Sequence, residues 1–463
     1  MSKRSIDEKS FYKYLRCPSW LEREWAEGSK GRQSILELLQ DEGLLGSKEL
    51  ELLKGKDVAH VDLEDVDEAS LRTLELMKQG AQTIYKGVLV HGHWVGHPDV
   101  LERVEGKSQL GNWYYIALDI KRSHRLKDEY MLQGAFYGEL LQKLQGVKPR
   151  RGYVMHTDGT VEHYELEAMY SQFRLTLDEI EAIFDGKHPE HFLTAGCKQS
   201  PYYLLCSEET HSCDDLSRLN RIWRSEVSMM REAGIHTVTD LANAKLDALK
   251  NVHGVTMDRL YTLQQQAIAL TDKKIITLGE VDLPDEPGVA LVLDIESDPL
   301  RDVDYLFGVL VVKGDEKTYH SFLARTPEEG PRAWQEFVTF LQDYQGANIY
   351  HYGWYEVDVC SRLANLHGAP DSVRLQLSEH MIDILNRLRE KVIFPLPFYS
   401  LKDIATHLGF RWRTSGASGL DSVLWFHEWL EDHDEGVLQT IVDYNEDDVQ
   451  ATWFLREWAK KNT

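Results

Sequence analysis

Asp294 and Glu296 follow the apolar run Ala290-Leu-Val-Leu293 and stand two residues apart. On a strand, side chains at i and i+2 leave the same face, so the two carboxylates converge. Close carboxylates repel each other unless a cation neutralises them. Divalent ions about 4 Å apart do so, and that separation suits in-line attack on a phosphodiester. An acidic pair on a surface strand is the plain alternative. The buried type of the preceding residues favours the chemical reading, because ligands gather where such strands leave a sheet. Further on, Ile349-Tyr-His-Tyr-Gly353 reads as a strand that ends near Glu356 and Asp358. Tyr444 and Asp448 are four apart, which in a helix puts them on one face. There a phenol can orient an attacking water while the carboxylate holds a metal.

A second constellation lies earlier. Asp99 sits in Gly-His-Pro-Asp-Val-Leu, Asp119 and Lys121 end the apolar run Tyr-Tyr-Ile-Ala-Leu-Asp-Ile-Lys, and Gln133 and Tyr137 are four apart. Two acids can hold a divalent ion. A lysine on the same face as the second acid can stabilise a pentavalent phosphate or tune a water. Gln133 and Tyr137 can orient that site or touch a strand. An Asp-x-Lys triplet alone is common; the ordered set is more specific.

The elements that must position these residues alternate along the chain. Residues 1–90 read mainly as helices, with Ser-Ile-Leu-Glu-Leu-Leu-Gln at helical spacing. Residues 91–166 carry strands around a helix that ends at Gly146. Residues 214–272 turn helical again, broken near Gly234 and Gly254, where backbone amides can meet phosphates. Residues 278–288 hold two prolines among acids and read as a linker. Strands and then helices follow to the end, the pattern of an α/β layer.

The chain has 463 residues, about three domains by length. A net charge of −24 excludes a protein coated in basic residues, although residues 121–127 and 148–151 form local basic runs. Each run has solvated side chains as its bland reading. Five cysteines, an odd number, argue against a disulfide framework. No apolar run reaches the roughly 18 residues of a membrane span, and the charged start lacks a secretory stretch, so the expected location is the cytoplasm.

From about 288 to 460, Asp294-Ile-Glu296, the later acid and Tyr-x-x-x-Asp resemble the DEDD-type 3′-to-5′ exonucleases of the tyrosine subgroup. The resemblance implies a ribonuclease-H-like fold, Asp294, Glu296 and Asp448 as ligands of Mg2+ or Mn2+, and Tyr444 as the residue that positions water. The second-motif acid is usually an Asp after an aromatic; here Glu356 follows Tyr355, which favours Glu356 over Asp358, with Asp383 ranked lower. From 1 to 213, Asp99, Asp119-x-Lys121 and Gln133-x-x-x-Tyr137 resemble the RecB-like branch of the PD-(D/E)xK nucleases, a restriction-endonuclease-like α/β fold. Asp99 and Asp119 are then metal ligands, with Lys121, Gln133 and Tyr137 catalytic. Members of that branch often hold a 4Fe-4S cluster on one early cysteine and a later C-x2-C-x5-C. Cys17, Cys197 and Cys206 match that spacing, and Ser200 stands where the fourth cysteine is expected. His211 or Cys213 could fill the gap; a zinc site, or cysteines acting as small apolar residues, are alternatives. The branch also expects an early histidine on a helix, and His91, His93 and His97 come late for that role. Residues 214–277 faintly resemble helix-hairpin-helix modules, with a plain helical spacer as the bland reading.

The whole implies a metal-dependent nuclease acting on strand ends, more of DNA than of RNA. A nucleic-acid-binding adaptor with degenerate nuclease folds, serving a helicase, repair or CRISPR complex, is the alternative.

Overall fold

The computed structural model describes residues 4–27, 52–121, 126–156, 159–286, 288–299, 301–414 and 416–463. The helix expected at 34–45 and Arg122 to Arg125 of the first basic run lie outside the described residues. The chain divides into two compact units, Met1–Cys206 and Ser207–Thr463. The division falls inside a helix over Tyr203–Ser212. No helix among the described residues is long and apolar enough to cross a membrane.

The first unit is built on a six-stranded sheet, but the expected helix-rich start carries strands as well. Helices α1 (Glu8–Arg16), α2 (Pro18–Glu27) and α3 (Val66–Gln79) precede or interleave with β1 (Val58–His60), β2 (Thr83–Tyr85), β3 (Leu89–His91) and β4 (Trp94–Gly96). These strands are too short for alternation to show against the helical pattern. β5 (Val100–Ser108) and β6 (Gly111–Lys121) form a hairpin, α4 (Asp128–Gln145) crosses over, and β7 (Arg151–His156) pairs parallel with β6 before β8 (Val161–Glu165) and α5 (Leu166–Phe184). The sheet order is β1-β2-β5-β6-β7-β8. Helix α1 starts because Asp7 accepts a hydrogen bond from the Ser10 amide at 2.8 Å, and the Asp7 amide donates in return to Ser10 Oγ at 3.1 Å. Its Phe11 packs between Phe136 of α4 and Phe173 of α5, at ring centroids of 5.3 and 5.7 Å. That cluster fixes α1 against the sheet helices.

In the second unit the stretch after the division is helical: α6 (Arg224–Glu232), α7 (Val238–Ala242), α8 (Leu246–Lys250) and α9 (Met257–Asp272). The turns after α6 and α8 pass through Gly234 and Gly254 in the left-handed region, φ +84° and +89°. The two-residue β9 (Ile276–Thr277) precedes the expected linker, which is not a loose tether: Val281 and Leu283 are buried in it, and the Val281 amide donates to Thr463 at 3.0 Å.

The central sheet of this unit has the order β12-β11-β10-β13-β14. β10 (Val289–Asp298), β11 (Val303–Lys313) and β12 (Glu316–Leu323) run antiparallel; β13 (Ile349–His351) and β14 (Met381–Asp383) join parallel to β10. Around it lie α10 (Gly330–Leu341), α11 (Tyr355–Leu366), α12 (Asp371–Glu379), α13 (Ile384–Lys391), β15 (Val392–Ile393), α14 (Leu401–His407), α15 (Gly419–Asp432) and α16 (Glu435–Asn462). β10 reads as a continuous apolar run because both its faces are covered. Leu291, Leu293 and Ile295 enter one core with Phe307, Trp334 and Phe337. Ala290 and Val292 enter the other with Tyr350 and Trp453. Asp294 and Glu296 continue that second row.

Helix α16 lays Tyr444, Asp448, Ala451, Leu455 and Ala459 onto the sheet, a stripe at helical spacing. The contact is close at Gly308, the β11 partner of Asp294. A Cβ there would lie 1.6 Å from Asn445 Oδ1. Glycine is required so that the amide of Asn445 can reach the strands.

Candidate metal centre

Asp294 and Glu296 leave one face of β10, and Asp448 comes down from α16 to meet them. One oxygen from each of the three lies within 4.8 Å of the others. Oxygens that share an ion at about 2.0–2.6 Å stand at most about 5 Å apart, so the donor set fits a divalent cation. The second residue of the tyrosine motif is in place too. Tyr444 is one turn before Asp448 on the same helix and is buried.

The carboxylates are held by donors. Asn445 Nδ2 donates to Asp294 Oδ2 at 2.7 Å, and Tyr319 holds Asn445 by donating to its Oδ1 at 2.8 Å. Ser422 of α15 donates to Glu296 Oε2 at 2.5 Å, and Trp412 Nε1 donates to Asp448 Oδ1 at 2.5 Å. Ser422 is placed by Tyr305, whose hydroxyl donates to it at 2.9 Å and whose ring stacks on Phe426 at 4.0 Å.

Three acids this close, Glu296 and Asp448 buried and Asp294 partly so, oppose one another's ionisation. Burial, and then the charge of Asp448, push Glu296 up to about 7. Burial pushes Asp448 to about 6 against the pull of the Lys402 ammonium. Burial, with Asp448 and Glu296 beside it, holds Asp294 well above the carboxylate range. A bound cation would relieve that repulsion.

Glu356 is placed differently from the strand end expected of it. β13 stops at His351, and both Glu356 and Asp358 belong to the first turn of helix α11. The short strand ends early because Gly353, at φ +94°, turns the chain into the helix. Glu356 is buried outside the three-carboxylate set, yet its charge is among those that raise Asp294. Its Oε2 has no hydrogen-bond partner among the described residues, with His351 Nδ1 3.7 Å away. An orphaned carboxylate oxygen here fits a group that meets a hydrated cation. Asp358 is only half-buried. Asp383 is spent on the backbone: Oδ1 accepts from the Gly353 and Asn386 amides at 2.9 and 3.1 Å, which pins the turn before α11 and caps α13.

Lys402 is the residue that the sequence reading missed. Its Nζ donates to Tyr444 Oη at 2.6 Å and to the Ala417 carbonyl, and lies 4.1 Å from the centroid of the Tyr444 ring. One local sign exists. Lys402 occupies the first turn of α14, where the helix dipole disfavours a cation.

In the first unit the structure gathers Asp99, Asp119, Lys121 and Tyr137. Asp119 and Lys121 pair at 3.0 Å on β6. Asp99 Oδ2 accepts from the Ile120 amide at 2.8 Å and Oδ1 accepts from Lys86 at 2.9 Å. Tyr137 donates to the His97 carbonyl at 3.4 Å, and its hydroxyl also reaches Asp119. Burial raises Asp119 to about 6 against the opposing pull of Lys121, with Asp99 and Glu8 adding to the rise. Glu8 on α1 is therefore a member of this cluster that sequence reasoning did not find. It accepts from the His97 amide at 3.1 Å and faces the His97 ring at 3.2 Å. Gln133 Nε2 reaches the Glu8 carbonyl at 3.5 Å. A glutamate in the first turn of a capped helix is too ordinary to signal this. His97 thus supports an acid, while His93 stacks on Phe184 at 4.6 Å and His91 is exposed on β3.

Cys17, Cys197 and Cys206 are buried and adjacent. The Cys17 thiol bonds to both others and is raised by them, while Cys197 is lowered to about 6 by the Cys17 hydrogen bond. None of the five cysteines is in a disulfide. Ser200 is nearby in sequence, but its Oγ accepts from the Tyr202 amide at 3.2 Å. Cys213 is exposed, its thiol donating to the Thr210 carbonyl at 3.7 Å. Three thiols are short of the four that an iron–sulfur cluster asks for, so the described residues do not fit the cluster.

No curated protein matches the chain. Residues 291–460, which hold β10 through α16 with all three carboxylates and Tyr444, match RNase_H_2 of the RNase_H superfamily, so the C-terminal part carries an RNase H-like domain, a nuclease-type fold.

Proposed function

We propose that this protein is a metal-dependent nuclease that removes nucleotides from the 3′ end of a nucleic acid strand, DNA in preference to RNA. The observation that carries the reading is the convergence of Asp294, Glu296 and Asp448 within 4.8 Å at the middle of an RNase H-like sheet. Asp294, Glu296 and Asp448 would hold Mg2+ or Mn2+, with Glu356 alongside. A bound ion of this kind supplies charge neutralisation at the scissile phosphate and lowers the cost of ionising water. The protein's own part is positional. Tyr444 presents a buried hydroxyl beside Asp448, Asn445 and Ser422 fix the carboxylate rotamers, and Trp412 closes the side of Asp448.

The first unit is read as a RecB-like PD-(D/E)xK domain whose acids Glu8, Asp99 and Asp119 and whose Lys121 form a second metal-dependent site. Its assembled ion pair supports a working centre over a mere binding platform. Residues 214–277, with their two glycine turns, are read as a strand-binding helical module.

The test is a product ladder. End-labelled single-stranded and duplex DNA and RNA are incubated with the protein and Mn2+ or EDTA. Stepwise shortening of 5′-labelled DNA in Mn2+ alone supports the proposal. Intact substrate under every condition overturns it.

A further inference from the structure

The contact between Lys402 and Tyr444 has more content than a charge beside a ring. An ammonium has donors only, so at 2.6 Å the Tyr444 oxygen must accept from Lys402. The phenol proton must then point away from Nζ. On that side stands Asp448, one helical turn on, with its carboxylate within hydrogen-bond reach of the hydroxyl. Lys402 is itself fixed: a second N–H is taken by the Ala417 carbonyl, and the ammonium lies 4.1 Å from the centroid of the Tyr444 ring and 5.9 Å from that of Trp412. Ser400 caps α14 and accepts from the Asp403 amide at 3.2 Å, which holds the first turn that carries the lysine.

From this arrangement we propose that Lys402 is a positioning residue that makes the Tyr444 hydroxyl a one-way donor, aimed at the oxygen that attacks the phosphodiester beside Asp448. The inference rests on the nuclease reading. A free phenol can donate to a water or accept from it, so two orientations of the bound water compete. Lys402 disfavours the accepting one by occupying the acceptor side of the tyrosine oxygen. The presence of a cation in the first turn of α14, where the backbone dipole opposes it, is explained by this contact.

The experiment is a double-mutant cycle on the full chain with Lys402→Met, Lys402→Arg, Tyr444→Phe and the Met/Phe double variant, using a labelled DNA oligonucleotide and Mn2+. Lys402→Met should lower kcat by about tenfold or more with KM near wild type, as expected for lost orientation of a proton donor. Tyr444→Phe should do the same, and the double variant should be no worse than the more damaged single, because both act through one hydroxyl. Lys402→Arg, which keeps a donor, should recover most of the rate. Multiplying losses in the double variant, or a Lys402→Met enzyme of normal kcat, would overturn the proposal. The melting temperatures of the same four proteins without metal give a reading independent of turnover: non-additive shifts support the contact and additive ones overturn it. A wild type that cleaves nothing would therefore sink the nuclease reading while leaving the Lys402–Tyr444 coupling to be judged on stability.

Discussion

Glu296 illustrates how a single side chain carries the metal question. Its folded value is about 7, against about 4.3 in an unfolded chain. An acid raised by folding binds more protons in the native state between those values, so metal-free stability is full below about 4 and is lost as pH rises through about 7. Asp448, raised to about 6, adds to the same window. The metal-free protein is expected to melt at a lower temperature at pH 8 than at pH 5, and Mn2+ should restore much of the loss at pH 8; a scan of melting temperature against pH with and without EDTA checks it. Replacing Asp294 and Glu296 with Ala should abolish hydrolysis and flatten that pH dependence, since two of the repelling charges are gone. Gly308 makes the second residue-level case. Gly308→Ala puts a methyl on Asn445 Oδ1, so Asn445 must leave both Asp294 and Tyr319. The expected cost is about 3 kcal/mol or more by chemical denaturation, from overpacking and lost hydrogen bonds together.

At the scale of elements, the sequence was legible where one period ran long. β10 showed as an unbroken apolar run, and Tyr444 and Asp448 fell on one helical face because α16 is a single helix of 28 residues. It was not legible where elements are short or packed from afar. β13 has three residues, so Glu356 was expected at a strand end although it starts a helix. Lys402 and Glu8 each reach their clusters through tertiary packing, 42 residues from Tyr444 and 89 from His97, and no local spacing records that. Helix α15 shows how an element without an acidic motif serves the centre: it brings Ser422 to Glu296 and is itself seated by the Tyr305–Phe426 stack. Ser422→Ala leaves a buried Glu296 oxygen short of its donor, while the Tyr305 hydroxyl keeps the carbonyl of residue 422, a cost of about 1–3 kcal/mol. It should also weaken Mn2+ binding measurably by calorimetry while the far-ultraviolet spectrum stays native.

The described residues hold two acidic centres, one in each compact unit. The basic run at 148–151 is already answered: Lys148 pairs with Glu139, and Arg150 and Arg151 share Glu165. Neutralising Arg150 and Arg151 is accordingly expected to leave the salt dependence of strand binding nearly unchanged, read as the slope of log affinity against log salt. Asp119→Ala with Lys121→Ala should leave 3′-end trimming intact and remove any internal nicking, so the two centres are separable on one gel.

The fit between Gly308 and Asn445 also constrains the order in which this protein can change. With asparagine at 445, any side chain at 308 must displace the Asn445 amide. With alanine at 445 only Tyr319 Oη, 2.8 Å from the added Cβ, has still to move, at the expense of the hold on Asp294. A lineage therefore acquires a side chain at 308 at least cost after it has given up the one at 445, and a G308A/N445A protein should be more stable than G308A alone. Reversal is then costly in turn, because restoring asparagine would meet the new methyl: two neighbouring positions act as a ratchet on the history of the centre.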